Sequence, residues 1–128
     1  MIMRKQRDGL IVNVSSMASQ RAGGVSGIAY TAAKTALNAM SESINVENCH
    51  MGIRARALCP GEVATEILDK RPAPPSAEDR ARMVQEEDVG ATILFIAQVP
   101  PHVWRQANVD QRVNFGMAMA VAARSRYR

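Results

Sequence analysis

Tyr30 and Lys34 stand four residues apart, a spacing that places two side chains on one helix face, one turn apart. An isolated phenol ionises at about pH 10 and is a poor base at neutral pH. A nearby ammonium favours the phenolate and lowers that value, which makes proton exchange with an alcohol or carbonyl oxygen feasible. Ser16 lies upstream, at the end of an apolar run. Its hydroxyl can donate a hydrogen bond to the same substrate oxygen. Alone, Tyr-x-x-x-Lys is a weak signal, because a surface tyrosine lying beside a lysine on a helix has the same spacing. The elements around it must decide.

Asp8-Gly9 is a turn signal, and Leu10-Ile11-Val12-Asn13-Val14 after it reads as a strand covered on both faces, as in a parallel sheet. Ser15-Ser16 closes that strand at the end where open α/β sheets bind ligands. Met17 to Gly27 carries Gly23, Gly24 and Gly27 and reads as a flexible loop. From Ile28 to Asn48, Ala29, Ala33, Ala36, Leu37, Met40 and Ile44 recur at helical steps. That predicts a helix whose small-residue face packs closely on a sheet or on another helix, ended by His50-Met51-Gly52.

Ile53 to Cys59 alternates and stops at Pro60-Gly61, which predicts a second strand. A short helix over Ala64 to Asp69 follows, then a loop from Arg71 to Ser76 with three prolines. Ser76 and Asp79 form a capping box for a helix to about Met83. Glu86 to Gln98 is a further helix, with Val89, Ile93, Leu94, Ile96 and Ala97 on its buried face, ended by Pro100-Pro101. Ala107 to Phe115 is the weakest strand, since Asp110, Gln111 and Arg112 interrupt its pattern. The alternation of strands and helices implies right-handed βαβ crossovers and an α/β fold with a parallel sheet.

Composition narrows the function classes. The 128 residues carry 47% hydrophobic and 22% charged side chains, enough for one modest domain and too apolar for wholesale disorder. The net charge of +4 collects at the two ends, Arg4, Lys5 and Arg7, then Arg124, Arg126 and Arg128. Without interleaved aromatic residues these read as solvated termini, so no nucleic-acid partner is expected. No apolar stretch is long enough to span a membrane, and no leader-like segment precedes the first strand. Cys49 and Cys59 lack metal-ligand spacing, and His50 beside Cys49 faces away from it on a helix, so no metal site is expected. Ordinary thiols fit a reducing, cytoplasmic setting.

The run Gly9-Leu-Ile-Val-Asn-Val-Ser-Ser16, a Gly-rich loop and Tyr30-Thr-Ala-Ala-Lys34-Thr-Ala-Leu37 together resemble the short-chain dehydrogenase/reductase family. The strand from Ile53 into Pro60-Gly61-Glu62-Val63-Ala64-Thr65 resembles the Pro-Gly segment that follows in that family. Glu87-Asp88-Val89 and Pro100-Pro101-His102-Val103 fit as well, so the resemblance covers roughly residues 9 to 104. It implies a Rossmann-like, doubly wound three-layer sheet. It further implies an NAD- or NADP-dependent oxidoreductase that moves a hydride between the nicotinamide and an alcohol or ketone. Tyr30 would be the general acid/base. Lys34 would hold the nicotinamide ribose, and Ser16 would orient the substrate oxygen. Pro60, Gly61, Val63 and Thr65 would border the nicotinamide. Read without the resemblance, Pro60-Gly61 is a tight turn and Thr65 a helix cap. The helix 28–48 would build a homo-oligomer interface, and the Arg71 to Ser76 region would contribute to substrate identity.

The sequence also departs from the family. Its commonest spacing puts the serine thirteen residues before the tyrosine, where this chain has Met17; Ser16 is fourteen before and Ser15 fifteen. An added residue in the Gly23 to Gly27 loop reconciles Ser16, with Ser15 in reserve. No Gly-rich dinucleotide fingerprint, Asn-Asn-Ala-Gly segment or supporting catalytic asparagine is found. The expectation is one partial domain, 1–128, equivalent to the C-terminal half of the sheet and lacking its dinucleotide-binding half. The basic tail 116–128 reads as a frayed helix or disordered. The first strand would then lack its inner neighbour and present an edge prone to self-association. The rival reading is a non-catalytic oligomerisation or interaction module derived from such an enzyme.

Overall fold

The computed structural model describes residues 2–22, 25–106 and 112–114. Among these the order is α1 (Ile2–Gln6), β1 (Gly9–Val14), α2 (Ile28–Asn48), β2 (Ile53–Cys59), α3 (Ala77–Arg82), α4 (Glu86–Gln98), α5 (Pro101–Gln106) and β3 (Arg112–Asn114). The strands form one parallel sheet in the order β1-β2-β3. The register runs from Gly9 opposite Ile53 to Val14 opposite Leu58. β1 is therefore an edge strand among the described residues, as expected.

The two sheet faces are packed by different physics. Leu58 and Ile96 are fully buried together, with Leu10, Val12, Val84, Val89 and Ile93 half-buried around them. That places α4 on the face carrying the even-numbered residues of β1 and β2. α2 covers the other face, and the contact there is polar. Asn13 Nδ2 donates to Ser41 Oγ at 2.9 Å. The Asn45 amide makes two bonds to the Ala55 backbone, accepting from its N–H at 2.7 Å and donating to its carbonyl at 2.8 Å. Ala55 and Ala57 are fully buried and small enough to admit this approach. The result is a three-layer α/β/α arrangement.

α2 and α4 have the bounds read from the sequence, and β1 and β2 begin and end within a residue of theirs. Five local expectations are refined or corrected. The small-residue face of α2, read as packing on a sheet or on another helix, does not lie on the sheet: Ala29, Ala33, Ala36 and Met40 are exposed, while Ser41, Asn45 and Asn48 are buried. The polar residues win because Ala55 needs hydrogen-bond partners that an alanine cannot supply. On α4, Leu94 and Ala97 point outward with Phe95, and only Ile96 is fully buried. The supposed loop after Ser16 opens with a 3₁₀ turn, Met17–Ser19, and the helix after Ala64 is a 3₁₀ segment, Glu66–Lys70. Pro101 does not merely stop α4; it opens α5, where its missing N–H costs nothing.

β2 is buried almost throughout, as a central strand must be, including Arg56 at 6% exposure. Burial first, then the nearby charge of Arg54, lowers the Arg56 guanidinium below its ordinary value. Gly52 ends the 3₁₀ turn Cys49–Met51 with φ of 79°, the left-handed conformation the Gly signal implied. α1 was not foreseen. Arg4 reaches from it to Asn48 Oδ1 at 2.8 and 3.1 Å, fastening the start of the chain to the end of α2. β3, described over Arg112–Asn114, falls inside the weak Ala107 to Phe115 reading. Gly23, Gly24 and the tail 116–128 lie outside the described residues.

Candidate functional site

Because β1 and β2 are parallel, their C-terminal ends lie at one edge of the sheet, with Ser15-Ser16 following the first and Pro60-Gly61 the second. Two backbone bonds join these exits: Ser15 N to the Leu58 carbonyl at 2.7 Å and Met17 N to the Pro60 carbonyl at 2.9 Å. The N-terminal turns of α2 arrive at the same edge. Gly27, with φ of 72°, lets the chain enter the helix sharply, and no side-chain cap is made there.

Tyr30 lies in the first turn of α2 and is 46% exposed. Lys34, one turn on, holds its ammonium 5.6 Å from the centre of the Tyr30 ring, within cation–π range. The same Nζ donates to the Val14 carbonyl at 2.8 Å, at the last residue of β1. An ammonium has three donor protons. One therefore anchors Lys34 to the strand end, and two remain for a ligand.

The two serines separate clearly. Ser15 is buried at 3% exposure, and its hydroxyl donates to the Lys34 backbone carbonyl at 2.9 Å. It ties strand to helix. Ser16 is half-buried, and its Oγ accepts the Ala18 N–H at 3.1 Å as the cap of the 3₁₀ turn. Accepting that bond leaves the hydroxyl its one donor proton.

Pro60 is buried, Gly61 exposed, and a Cβ added at Gly61 would meet open space. Val63 pairs with Val84 in a parallel bridge, with Ala64 N on the Val84 carbonyl at 2.8 Å and Val84 N on the Glu62 carbonyl at 3.2 Å. This closes residues 64–83 into a loop rooted beside Pro60-Gly61. Two ion pairs brace it, Arg71–Glu62 at 2.8 Å and Arg80–Asp69. Thr65 stands at the start of the 3₁₀ segment but makes no side-chain cap, so its hydroxyl is not spent there. Tyr30 and Lys34 are thus in contact, and Ser16 and Pro60 are joined through Met17. Val63 and Thr65 belong to the same edge through the Val63–Val84 bridge.

A cavity of about 460 Å³ lies elsewhere, between α1, α2 and the sheet, lined by Ile2, Met3, Arg4, Ile11, Ile44 and Asn48 among others. It sits at the opposite ends of the strands from this chemistry and plays no part in it. Among the described residues no group of His, Cys, Asp and Glu could hold a metal, and no helix is long and apolar enough to cross a membrane.

The short chain dehydrogenase family model matches residues 1–75, more than half of the chain. The chain belongs to that family. Dehydrogenase/reductase SDR family member 6 of Aquarana catesbeiana is 31% identical over 106 residues, covering 74% of this chain and 43% of that protein. Short chain dehydrogenase adrF of Penicillium roqueforti is 42% identical over 114 residues, again 74% of this chain and 43% of that protein. Among solved structures, a betaketoacyl-ACP reductase from Bacteroides thetaiotaomicron superposes with a TM-score of 0.59 at 30% identity, covering 88% of this chain and 42% of that one. ElxO with NADP bound gives 0.69 at 26% identity, with 88% and 46% covered. This short-chain dehydrogenase chain therefore spans less than half the length of the relatives it matches. Its sheet is part of a Rossmann-like fold.

The sequence reading of this short-chain dehydrogenase missed the backbone partners of the site. The Val14 carbonyl anchors Lys34, and Ser15 locks the helix to the strand end. A signal for the polar contact did exist: Asn38, Ser41, Asn45 and Asn48 recur at helical steps and form a stripe opposite small residues on the next strand.

Proposed function

We propose that this chain supplies the proton-handling and nicotinamide-riboside part of an NAD(P)-dependent short-chain oxidoreductase acting on an alcohol or ketone. The observation that carries the reading is the Lys34 ammonium, tethered to the Val14 carbonyl while lying 5.6 Å from the centre of the Tyr30 ring. Tyr30 exchanges the proton at the substrate oxygen. Lys34 stabilises negative charge on that phenol and offers its two remaining protons to the ribose hydroxyls. Ser16, rather than the reserve candidate Ser15, donates to the substrate oxygen and polarises it.

The residues present suit a nicotinamide riboside: an ammonium with free donors, a phenol, a hydroxyl at Thr65 and unfilled space over Gly61. Pro60, Gly61, Val63 and Thr65 would border the nicotinamide ring. When bound, the cofactor supplies the hydride chemistry that no side chain can. Whether NAD or NADP is used depends on residues that recognise the adenosine half. The braced loop 64–83, which includes Arg71 to Ser76, bounds the substrate side, and the unpaired thiols Cys49 and Cys59 suit a cytoplasmic setting.

Titration with NADPH and NADH, followed by nicotinamide fluorescence, tests the reading. Saturable binding that disappears in the Tyr30→Phe/Lys34→Ala double variant supports it. No binding at millimolar cofactor would sink it. In that event the second reading takes over, a homo-oligomerising module without catalysis. It is favoured by the outward apolar side chains of α2, with Ile28 91%, Val46 74% and Met40 44% exposed. Sedimentation of the wild type against an Ile28→Lys/Met40→Lys variant reports that function.

A further inference from the structure

Ser19, Asn38 and Cys59 come from three separate segments and meet at one point. Asn38 lies on α2, one turn beyond Lys34 and two beyond Tyr30. Its Nδ2 donates to Ser19 Oγ at 2.8 Å. Ser19 Oγ donates in turn to the Ser16 carbonyl at 2.5 Å. The Cys59 thiol, wholly buried at the end of β2, lies 3.8 Å from both Asn38 Oδ1 and Ser19 Oγ. Thr35 Oγ1, also on α2, reaches the Ser19 carbonyl at 3.3 Å.

A buried thiol in this setting is no nucleophile, since nothing outside can reach it. Nor is the polar group needed merely to fill space, because aliphatic side chains fill space without hydrogen-bond constraints. What the three polar groups add is direction. A hydroxyl has one proton to give, and Ser19 gives it to the carbonyl of Ser16, the residue whose hydroxyl is proposed to act on the substrate oxygen. Besides the Ala18 N–H on its Oγ and the Ser19 N–H on its carbonyl, Ser16 is held through Met17 N on the Pro60 carbonyl and through the Ser19 hydroxyl on its own carbonyl. The hydroxyl bond, with Asn38 behind it, adds a reference to the helix that carries Tyr30 and Lys34, beside the one Ser15 makes to the Lys34 carbonyl.

We propose that Asn38 and Ser19 are positioning residues that fix the Ser16 hydroxyl relative to Tyr30, with the Cys59 sulfur closing the back of the pair. The proposal rests on the catalytic reading of Ser16 and Tyr30, and it extends the site to side chains that touch no substrate. Ser19 ties the turn Met17–Ser19 to α2 through Asn38 and Thr35, so loss of the Ser19 or Asn38 side chain weakens the hold of the turn on the α2 side. The effect should be local, because Asn45 and Ser15 hold α2 to the sheet independently.

The test uses the full chain with Ser19→Ala, Asn38→Leu and Ser19→Thr. Amide hydrogen exchange is followed at Ala18 and Gln20, whose N–H groups bond to Ser16 Oγ and the Met17 carbonyl, and at Ala55 as a reference in the sheet. Turnover is measured with NADPH and ethyl acetoacetate as the probe ketone. Ser19→Ala and Asn38→Leu should speed exchange at Ala18 and Gln20 at least tenfold while leaving Ala55 unchanged. They should lower kcat about tenfold with KM for NADPH within twofold, and Ser19→Thr should restore both. Unchanged exchange at Ala18 and Gln20, or equal acceleration at Ala55, overturns the proposal. So does a Ser19→Ala chain with wild-type kcat. If the wild type shows no turnover, the catalytic reading fails on that result, and the exchange pattern still decides whether the pair positions Ser16.

Discussion

Replacing Asn45 by Leu should be among the most damaging single changes in this chain. The parallel register explains why. Ser15 N bonds to the Leu58 carbonyl, so even-numbered residues of β2 direct their backbone groups toward β1, and odd-numbered ones toward β3. Among the described residues β3 pairs with Ala57 to Cys59. The backbone groups of Ala55 face the same side, and the Asn45 amide bonds to both of them. Leucine has the same branched side-chain skeleton but neither donor nor acceptor, and Ala55 is fully buried. Two unsatisfied backbone groups cost about 1–3 kcal/mol each. Burial of the leucine side chain offsets roughly 1.5–3 kcal/mol of that total. With mid-range values of about 4 and about 2 kcal/mol, the net expectation is a loss of about 2 kcal/mol, against a total stability on the order of 5–15 kcal/mol. Urea unfolding followed by far-UV circular dichroism measures it as a lower midpoint at unchanged slope. Asn45→Asp supplies the control. A carboxyl facing the Ala55 carbonyl is raised above its unfolded value of about 3.9. A raised carboxyl is tolerated below the unfolded value, where it is protonated and can both donate and accept like the amide, and its cost grows as pH rises through the folded value. The Asp variant should therefore approach wild-type stability near pH 3.5 and fall away by pH 7. A Leu variant within about 0.5 kcal/mol of wild type, or an Asp variant whose deficit does not vary with pH, would refute the reasoning.

Three further outcomes follow from the same structure. Gly52→Ala should be destabilising, since φ is 79° and the added Cβ would lie 2.0 Å from the Arg7 carbonyl oxygen; roughly 2 kcal/mol or more, a Tm loss on the order of 8 °C, is expected in a thermal melt. Bonds from the Ser76 hydroxyl first, then Arg82, hold the Asp79 carboxyl below its ordinary value, so its stabilising contribution is present above the unfolded value and lost as pH falls through the folded one. The gap in urea midpoint between wild type and Asp79→Asn should be constant near neutrality and close in acid; a gap that widens in acid contradicts this. Ser15→Ala should cost about 1 kcal/mol for the lost bond to the Lys34 carbonyl while keeping turnover, whereas Ser16→Ala should abolish turnover. The reverse pattern in paired kinetic and unfolding measurements would reassign the serine.

The backbone plan was legible because its signals are local. Glycine and proline mark the ends at Gly9, Gly52 and Pro60, and the β-branched run at β1 has no helical alternative. The orientation of α2 was not legible in the same way. Counting apolar residues gave Ala29, Ala33 and Ala36 a packing face, on a sheet or on another helix, yet the interaction that decides which side meets the sheet is between Asn45 and a backbone ten residues away. Periodicity weighs side chains by hydropathy and is blind to an unmet hydrogen bond on a neighbouring strand. The site behaved likewise. Tyr30 and Lys34 stand out only once the strand and loop before them are read with their spacing; loop length favours Ser16 over Ser15, whereas the structure separates the two by which hydroxyl the Lys34 carbonyl captures.

That difference bears on which part of the chemistry this chain carries by itself. Among the described residues, the ties that place Lys34 and Ser16 lie between Val14 and Pro60: Lys34 Nζ to Val14, Ser15 to the Lys34 carbonyl, and Met17 to Pro60. The proton-handling geometry proposed above draws on that interval. Cofactor affinity is another matter, because dinucleotides are gripped mainly at the pyrophosphate, by backbone N–H groups at a Gly-rich turn, and residues 1–75 of the family match carry no such turn. Geometry and affinity are thus separable here. A nicotinamide mononucleotide, which lacks the adenosine half, should bind this chain nearly as well as NADH does. Competition between the two, read by displacement of nicotinamide fluorescence, measures the ratio. A preference for NADH beyond about tenfold, or 1.4 kcal/mol, would show that this chain grips the pyrophosphate after all and that the division drawn at Val14 to Pro60 is wrong.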